Sequence, residues 1–505
     1  MSKWFRVRSG IAVIVAIAAT VLSLSCSKMG GGGGVDVDDG NSPAQVLDLT
    51  AVRVTPTSVT LNWTAPGDDD TTGRAAAYDM RYWNREISYL NSDSAWPVTG
   101  VPAPGPAGST DSITITGLTE DSTYYFAIRT RDEAENWSWL SNIATAICFN
   151  DYVVTFPDPH LNAIIRGILN MPTDDIHRTD LLGIHTIDAN DDSVADLSGV
   201  QHCLNLTDLF LARNQVADLT PLTGLTKMIN LGLGANQISD IGPLAALVNI
   251  EQLDLHGNSI TGTSALSGMT KLRFITLAQN SITDISGLAG KTAMLGLDLH
   301  DNTVVDIGPL AGSTSMTNLD LSENQITDVS ALAGMTALAL LNVYLNQVVD
   351  ISPLANLTNL QTLNLRDNHI ASVAALSSLT KLEYLILINN YDIDSIHALA
   401  GLTAMKRLYL TNDPVTDIAA VATMPALIEL QAQGCQVVDL TPLENLDNIQ
   451  KVVLFLCLVT DLTPLWNNTD FAANDSLYVV GCPLSAYSVD SLIPWLRTRG
   501  VTVYW

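Results

Sequence analysis

Positive charge is scarce in this chain: 24 Lys and Arg stand against 52 Asp and Glu, a formal net charge of -28. A surface of that sign repels phosphate backbones and anionic lipid headgroups, which argues against nucleic acid as a partner. Charge of either sign is sparse, at 15% against 47% apolar residues, so the chain is globular rather than an acidic disordered tail. Its 505 residues leave room for two or more domains. Signatures of catalysis are missing too: there is no nucleophile elbow, Walker loop, His-Glu-x-x-His or dinucleotide fingerprint. The run Gly30 to Gly34 has no strand before it and no helix after it, so it is no phosphate loop. No enzyme activity, cofactor or metal is expected.

The first residues read as an export signal. Lys3, Arg6 and Arg8 precede an apolar stretch, Gly10 to Leu24, which is short for a membrane span and suited to a signal. It ends in Leu22-Ser23-Leu24-Ser25-Cys26, which resembles a bacterial lipoprotein signal with Cys26 as the lipidated mature N-terminus. Ser23 stands where that family prefers leucine, and an ordinary secretory signal cleaved nearby is the alternative. Residues 1–26 are thus signal and anchor, and residues 27–42, rich in Gly and Asp, a flexible tether. The resemblance implies an exported protein, lipid-anchored at an outer membrane or cell surface, that meets the membrane only through its lipid.

Residues 43–148 alternate in short runs: Ser58 to Trp63, Ala77 to Tyr82, Ser112 to Thr116 and Tyr124 to Arg129. Turn residues such as Pro66-Gly67-Asp68-Asp69-Asp70 separate them, the pattern of an all-β sandwich. Trp63 on an early strand, Leu118 followed six residues later by Tyr124, and Asn136 to Asn142 before the last strand resemble a fibronectin type III domain. The resemblance implies a tyrosine corner at Tyr124 and a spacer or adhesion role. The three loop aspartates read as a solvated turn rather than a calcium site.

Beyond residue 150 one period governs. Asn214, Asn236, Asn258, Asn280, Asn302, Asn324, Asn346, Asn368 and Asn390 follow at intervals of 22 residues, with aliphatic residues five and three places before each. An Ile or Val stands two places after each except Asn390. This is Leu-x-Leu-x-x-Asn-x-Ile in tandem, the leucine-rich repeat. A coil of this length cannot bury its own apolar face, so coils stack around a shared core. The Leu-x-Leu stretches predict a parallel sheet on the concave side of a curved solenoid, with the asparagines satisfying backbone groups inside each turn. Asp192 extends the ladder backward; Asp413, one residue late, and Cys435, Cys457 and Cys482 extend it forward, which implies a one-residue bulge near Tyr391-Asp392. The cysteines occupy a straight column, which suits buried thiols and not the convergent ligands of zinc; pairing between ladder cysteines, or of Cys148 with Cys203, stays open.

Four places after the ladder position stand Asp196, Asp218, Asp240, Asp284, Asp306, Asp328, Asp350, Asp394, Asp417, Asp439 and Asp461. Each precedes a short turn, where a carboxylate accepts backbone N–H bonds as a cap does. Residues 151–186 and 483–505 read as N- and C-terminal caps around repeats 187–482, the first containing a helix and the second a helix followed by a strand at Val501 to Trp505. Together these features resemble internalin-like bacterial leucine-rich-repeat proteins, which implies binding to other proteins through the concave face.

Side chains flanking the strand leucines leave that face. In the middle coils they include Asp254, His256, Asp298, His300 and Asp320, an acidic stripe; the two histidines are about 10 Å apart by strand spacing, too far to share one metal. Further on come Tyr344, Tyr384, Ile386, Ile388, Tyr409 and Phe455, an apolar cluster of the kind partners cover. The expectation is a non-catalytic, monomeric surface protein that recognises an extracellular or envelope protein. An architectural cell-envelope lipoprotein and a glycan-binding accessory protein are the alternatives.

Overall fold

The computed structural model describes residues 41–505, so Cys26 and its signal lie outside the described residues. The chain divides between Asn150 and Asp151 into two compact units.

Among the described residues the first holds seven strands: β1 (Thr50–Thr55), β2 (Ser58–Thr64), β3 (Ala77–Trp83), β4 (Trp96–Pro97), β5 (Thr110–Thr116), β6 (Ser122–Arg131) and β7 (Ala144–Cys148). They form two antiparallel sheets, ordered β1-β2-β5 and β4-β3-β6-β7. Alternation in β2 sends Val59, Leu61 and Trp63 into the core between them. Trp63 meets Tyr78 edge to face at 5.2 Å. The Tyr124 hydroxyl accepts a bond from Thr119 N at 3.1 Å, tying the β5–β6 crossover to β6. This is the fibronectin type III sandwich. The Asp68–Asp70 loop folds back on Thr72: Asp68 N and Asp69 N both donate to Thr72 O.

The second unit opens with helix α1 (Pro159–Leu169). Pro159 sits at the first helical position, where a missing N–H costs nothing. Asp158 caps it, Oδ1 accepting His160 N and Leu161 N at 2.9 and 3.0 Å. Its Oδ2 accepts Ala195 N and Asp196 N at 2.8 and 3.2 Å, so the same carboxylate pins the helix to the first coil.

Short parallel strands then stack in sequence order. They are β8 (Thr186–Asp188), β9 (Asp208–Phe210), β10 (Asn230–Gly232), β11 (Gln252–Asp254), β12 (Phe274–Thr276), β13 (Gly296–Asp298), β14 (Asn318–Asp320) and β15 (Leu340–Asn342). The stack continues with β16 (Thr362–Asn364), β17 (Tyr384–Ile386), β18 (Arg407–Tyr409), β19 (Glu429–Gln431), β20 (Lys451–Val453), β21 (Ser476–Tyr478) and β22 (Thr502–Tyr504). Near its end lie helices α2 (Thr463–Asn467) and α3 (Ile493–Arg499). Register sets equivalent residues side by side, as in Leu253↔Ile275 and Leu297↔Leu319. One apolar core runs the length of the stack. β22, which the sequence placed in the cap, pairs in parallel with β21 and lengthens the sheet by a strand.

Each ladder asparagine ties two coils. Asn302 Oδ1 accepts Ile282 N at 2.9 Å, and its Nδ2 donates to Leu277 O and Leu299 O, both at 3.0 Å. Asn214, Asn236, Asn258, Asn280, Asn324, Asn346 and Asn368 repeat the arrangement. Asn390 does so with Ile370 N, Leu365 O and Leu387 O. Cys435, Cys457 and Cys482 are free thiols, each donating to a carbonyl of the preceding coil at 3.0, 2.9 and 2.9 Å. Asp192, at the start of the column, is exposed.

Asp196, Asp218, Asp240, Asp284, Asp306, Asp328, Asp350, Asp417, Asp439 and Asp461 each accept the N–H two residues on, at 2.7–2.9 Å. Asp394 departs from this column. The inserted residue moves the buried positions of its coil to Ile393, Ile396 and Leu399, so Ser395 takes the turn slot and its Oγ accepts His397 N. One further exception stands in the core: Lys291 is 1% exposed and donates to Leu266 O and Ser267 O, both at 2.8 Å.

Candidate functional site

Residues six, four and two places before each ladder position leave the sheet on the side away from the core, because the two between them are buried. From β10 to β15 these columns hold no lysine or arginine. The acids there are not bare. His256 Nδ1 lies 2.7 Å from Asp254 Oδ1, and His300 Nδ1 lies 2.7 Å from Asp298 Oδ1. In each pair the hydrogen bond the imidazole donates to the carboxylate raises the histidine above its usual range, against the opposing effect of burial. Asp320 accepts Ser322 N and Asn342 Nδ2, both at 3.0 Å. Among the described residues no three His, Cys, Asp or Glu converge as a metal site.

The face changes character at β15. Tyr344 lies under the Arg366 guanidinium at 5.3 Å, and Tyr384 under that of Arg407 at 5.4 Å. Between β16 and β18 a shallow cleft of about 300 Å³ is lined by Thr362, Tyr384, Leu385, Ile386, Arg407 and Tyr409. Its far wall is fixed by Glu429, only 9% exposed. That carboxylate accepts Tyr409 Oη at 3.1 Å, Gln431 Nε2 at 2.7 Å and Lys451 Nζ at 2.9 Å, with Arg407 Nε at 3.5 Å. Burial opposes its charge, but these donors outweigh it and hold Glu429 below the usual carboxylate range. Burial, then the Glu429 charge, push the Tyr409 phenol up to about 12, so it stays a neutral donor.

Sequence reasoning takes Tyr344, Tyr384, Ile386, Tyr409 and Phe455 as projecting into solvent without a packing role; the structure corrects this. All five are half-buried. The rings are engaged by arginines, by Glu429 or, for Phe455, by Tyr478 edge to face at 5.7 Å. Ile388 is half-buried as well, two residues past β17. The structure joins Tyr384, Ile386 and Tyr409 in one cleft, while Tyr344 and Phe455 stand apart on either side. Sequence reading missed Arg407, Glu429 and Lys451, and the continuation of the aromatic column into Tyr478 and Tyr504, stacked at 4.4 Å. The signal was present: Arg407, Glu429 and Lys451 stand 22 residues apart in one column, where opposite charges become cross-strand neighbours.

A continuous apolar core under a parallel sheet of stacked coils defines a solenoid of leucine-rich repeats. Comparisons with known proteins agree. The fibronectin type III domain family matches residues 42–143 and a leucine-rich-repeat family residues 248–290. Among solved structures, an internalin (InlF) from Listeria monocytogenes is similar at 32% identity and TM-score 0.60, over 62% of this chain and 94% of that one. A leucine-rich-repeat protein of Leptospira interrogans shares the fold at 18% identity and TM-score 0.60, over 66% of this chain and 86% of that one. The functional domain of InlJ from Listeria monocytogenes, described as including a cysteine ladder, does so at 18% identity and TM-score 0.50, over 64% of this chain and 80% of that one. No curated protein matches. The chain belongs to the internalin-like leucine-rich-repeat proteins and carries a fibronectin type III domain ahead of its repeats. No catalytic family is found, and among the described residues no helix is long and apolar enough to cross a membrane.

Proposed function

We propose that this is a non-catalytic, surface-displayed recognition protein, tethered through a lipid on Cys26, whose concave face binds another protein of the envelope or the exterior. The cleft between Tyr384 and Tyr409 carries the reading. Its floor is Ile386, and its walls are held before any partner arrives by Arg407 and Glu429. Preorganised rings lose little freedom on binding, which is why aromatic anchors dominate interface energetics. The acids Asp254, Asp298 and Asp320 add steering rather than affinity. A protein partner fits better than a glycan, because sugars stack on open ring faces. Here one face of three rings is already covered, Tyr344 by Arg366, Tyr384 by Arg407 and Tyr478 by Tyr504.

The test is the affinity of single variants for a protein recovered by pull-down with the whole chain. Tyr384→Ala and Tyr409→Ala should each cost about 2 kcal/mol or more, roughly thirtyfold in Kd. Asp254→Asn should mainly slow association and flatten its salt dependence. Normal binding by both tyrosine variants, with loss on substitution at the turn aspartates Asp306 or Asp328, would move the site off the concave face.

A further inference from the structure

One ladder position carries a group of the wrong chemistry for its slot. Asp413 is 1% exposed. Its Oδ1 accepts Asn390 N and Tyr391 N at 2.9 and 3.1 Å, while Oδ2 is buried without a partner. At the positions on either side, the side chain presents a donor to the preceding coil: Asn390 Nδ2 to Leu365 O at 3.2 Å, and Cys435 Sγ to Leu410 O at 3.0 Å. An ionised carboxylate has no donor to give. Left so, it is a buried charge with an unsatisfied oxygen, among the costliest arrangements in a core. A proton on Oδ2 supplies the missing donor.

The two bonds to Oδ1 also have a particular task. The inserted residue leaves Tyr391 at φ 64°, a conformation that bulky side chains rarely adopt. Asp413 is what grips the backbone there. We propose that Asp413 sits in the ladder as the neutral acid, donating from Oδ2 to the Leu387 carbonyl of the coil before it, and that its ionisation loosens the bulge at Tyr391. Asp413 is then a pH-sensitive latch between β17 and β18.

The groups facing it fit this role. From the preceding coil come only the backbone of Asn390 and Tyr391. From the following coil comes the Cys435 thiol, which burial pushes up and keeps neutral. Among the described residues no lysine, arginine or histidine acts on it. Burial, against the two N–H donors, pushes its carboxyl up to about 7. Since this lies above the unfolded value of about 3.9, the latch stabilises fully below that value and is lost as pH rises through about 7.

The experiment is the urea midpoint of the full chain and of Asp413→Asn between about pH 5 and 8.5. The wild-type midpoint should fall relative to that of the variant from about pH 5 to about 7 and level off above it. His256 and His300 titrate in both proteins and cancel in the difference. A difference independent of pH overturns the proposal. Should Asp413→Asn fail to fold, amide exchange on the wild type decides. Protection across residues 390–393 should drop about tenfold relative to β13 over that range, after correction for intrinsic rates; a constant ratio overturns it.

Discussion

Asn302 sets the scale of what one side chain does here. Its amide joins three backbone groups of two coils, at 2.9, 3.0 and 3.0 Å. Truncation leaves them unpaired in the core, at about 1–3 kcal/mol each. Asn302→Ala should therefore lower the urea midpoint by more than Asp301→Asn at its exposed neighbour. Asparagine is the proper comparison at 301, because the backbone φ there is 54° and alanine would add strain of its own. Asp301→Asn should stay within about 0.5 kcal/mol of wild type. Matching midpoints for Asn302→Ala and Asp301→Asn would contradict the ladder geometry. The position of each asparagine was legible in a period of 22 residues. Which coil each end of the amide reaches was not, since periodicity is blind to direction. Nor could spacing alone tell that Asp413 is buried where an amide stands elsewhere.

At the scale of elements, period 2 in the sandwich and period 22 in the solenoid make β2, β3, β5 and β6 and the strands β8 to β21 legible in the sequence. β1 gave little signal because its Val52 and Val54 face outward, at 52% and 38% exposure. β22 was legible as the strand that ends the C-terminal cap, but not as a member of the sheet, because no ladder residue follows it. The one-residue insertion was visible, but its effect on Asp394 was not: the slip lies before the turn slot and hands it to Ser395. The concave site was half legible. Alternation told which side chains leave the sheet, yet exposure depends on what the next coil places beside them. Arg366 and Arg407 lie one coil beyond the tyrosines they cover, so columns rather than strands are the unit to read.

At the scale of the molecule, the export signal and tether put the two folded units outside the cytoplasm in the proposed function. Expressed in a bacterial host, Cys26→Ala should shift the chain from the membrane fraction to the soluble one. Unchanged fractionation with an intact mass lacking acyl chains would rule out the anchor. The ladder has a mechanical consequence as well. Each asparagine is a three-point weld between coils, whereas a thiol donates once, and weakly. Past Asp413 the column is all thiol, so the last coils are riveted more lightly than the middle ones. A nearest-neighbour stack unzips from its lightest joint. Heat or a pull on the chain should open it from the β19–β21 end. Native-state amide exchange should show protection falling from β14 toward β21, and a profile that frays first at β9 would reverse the order.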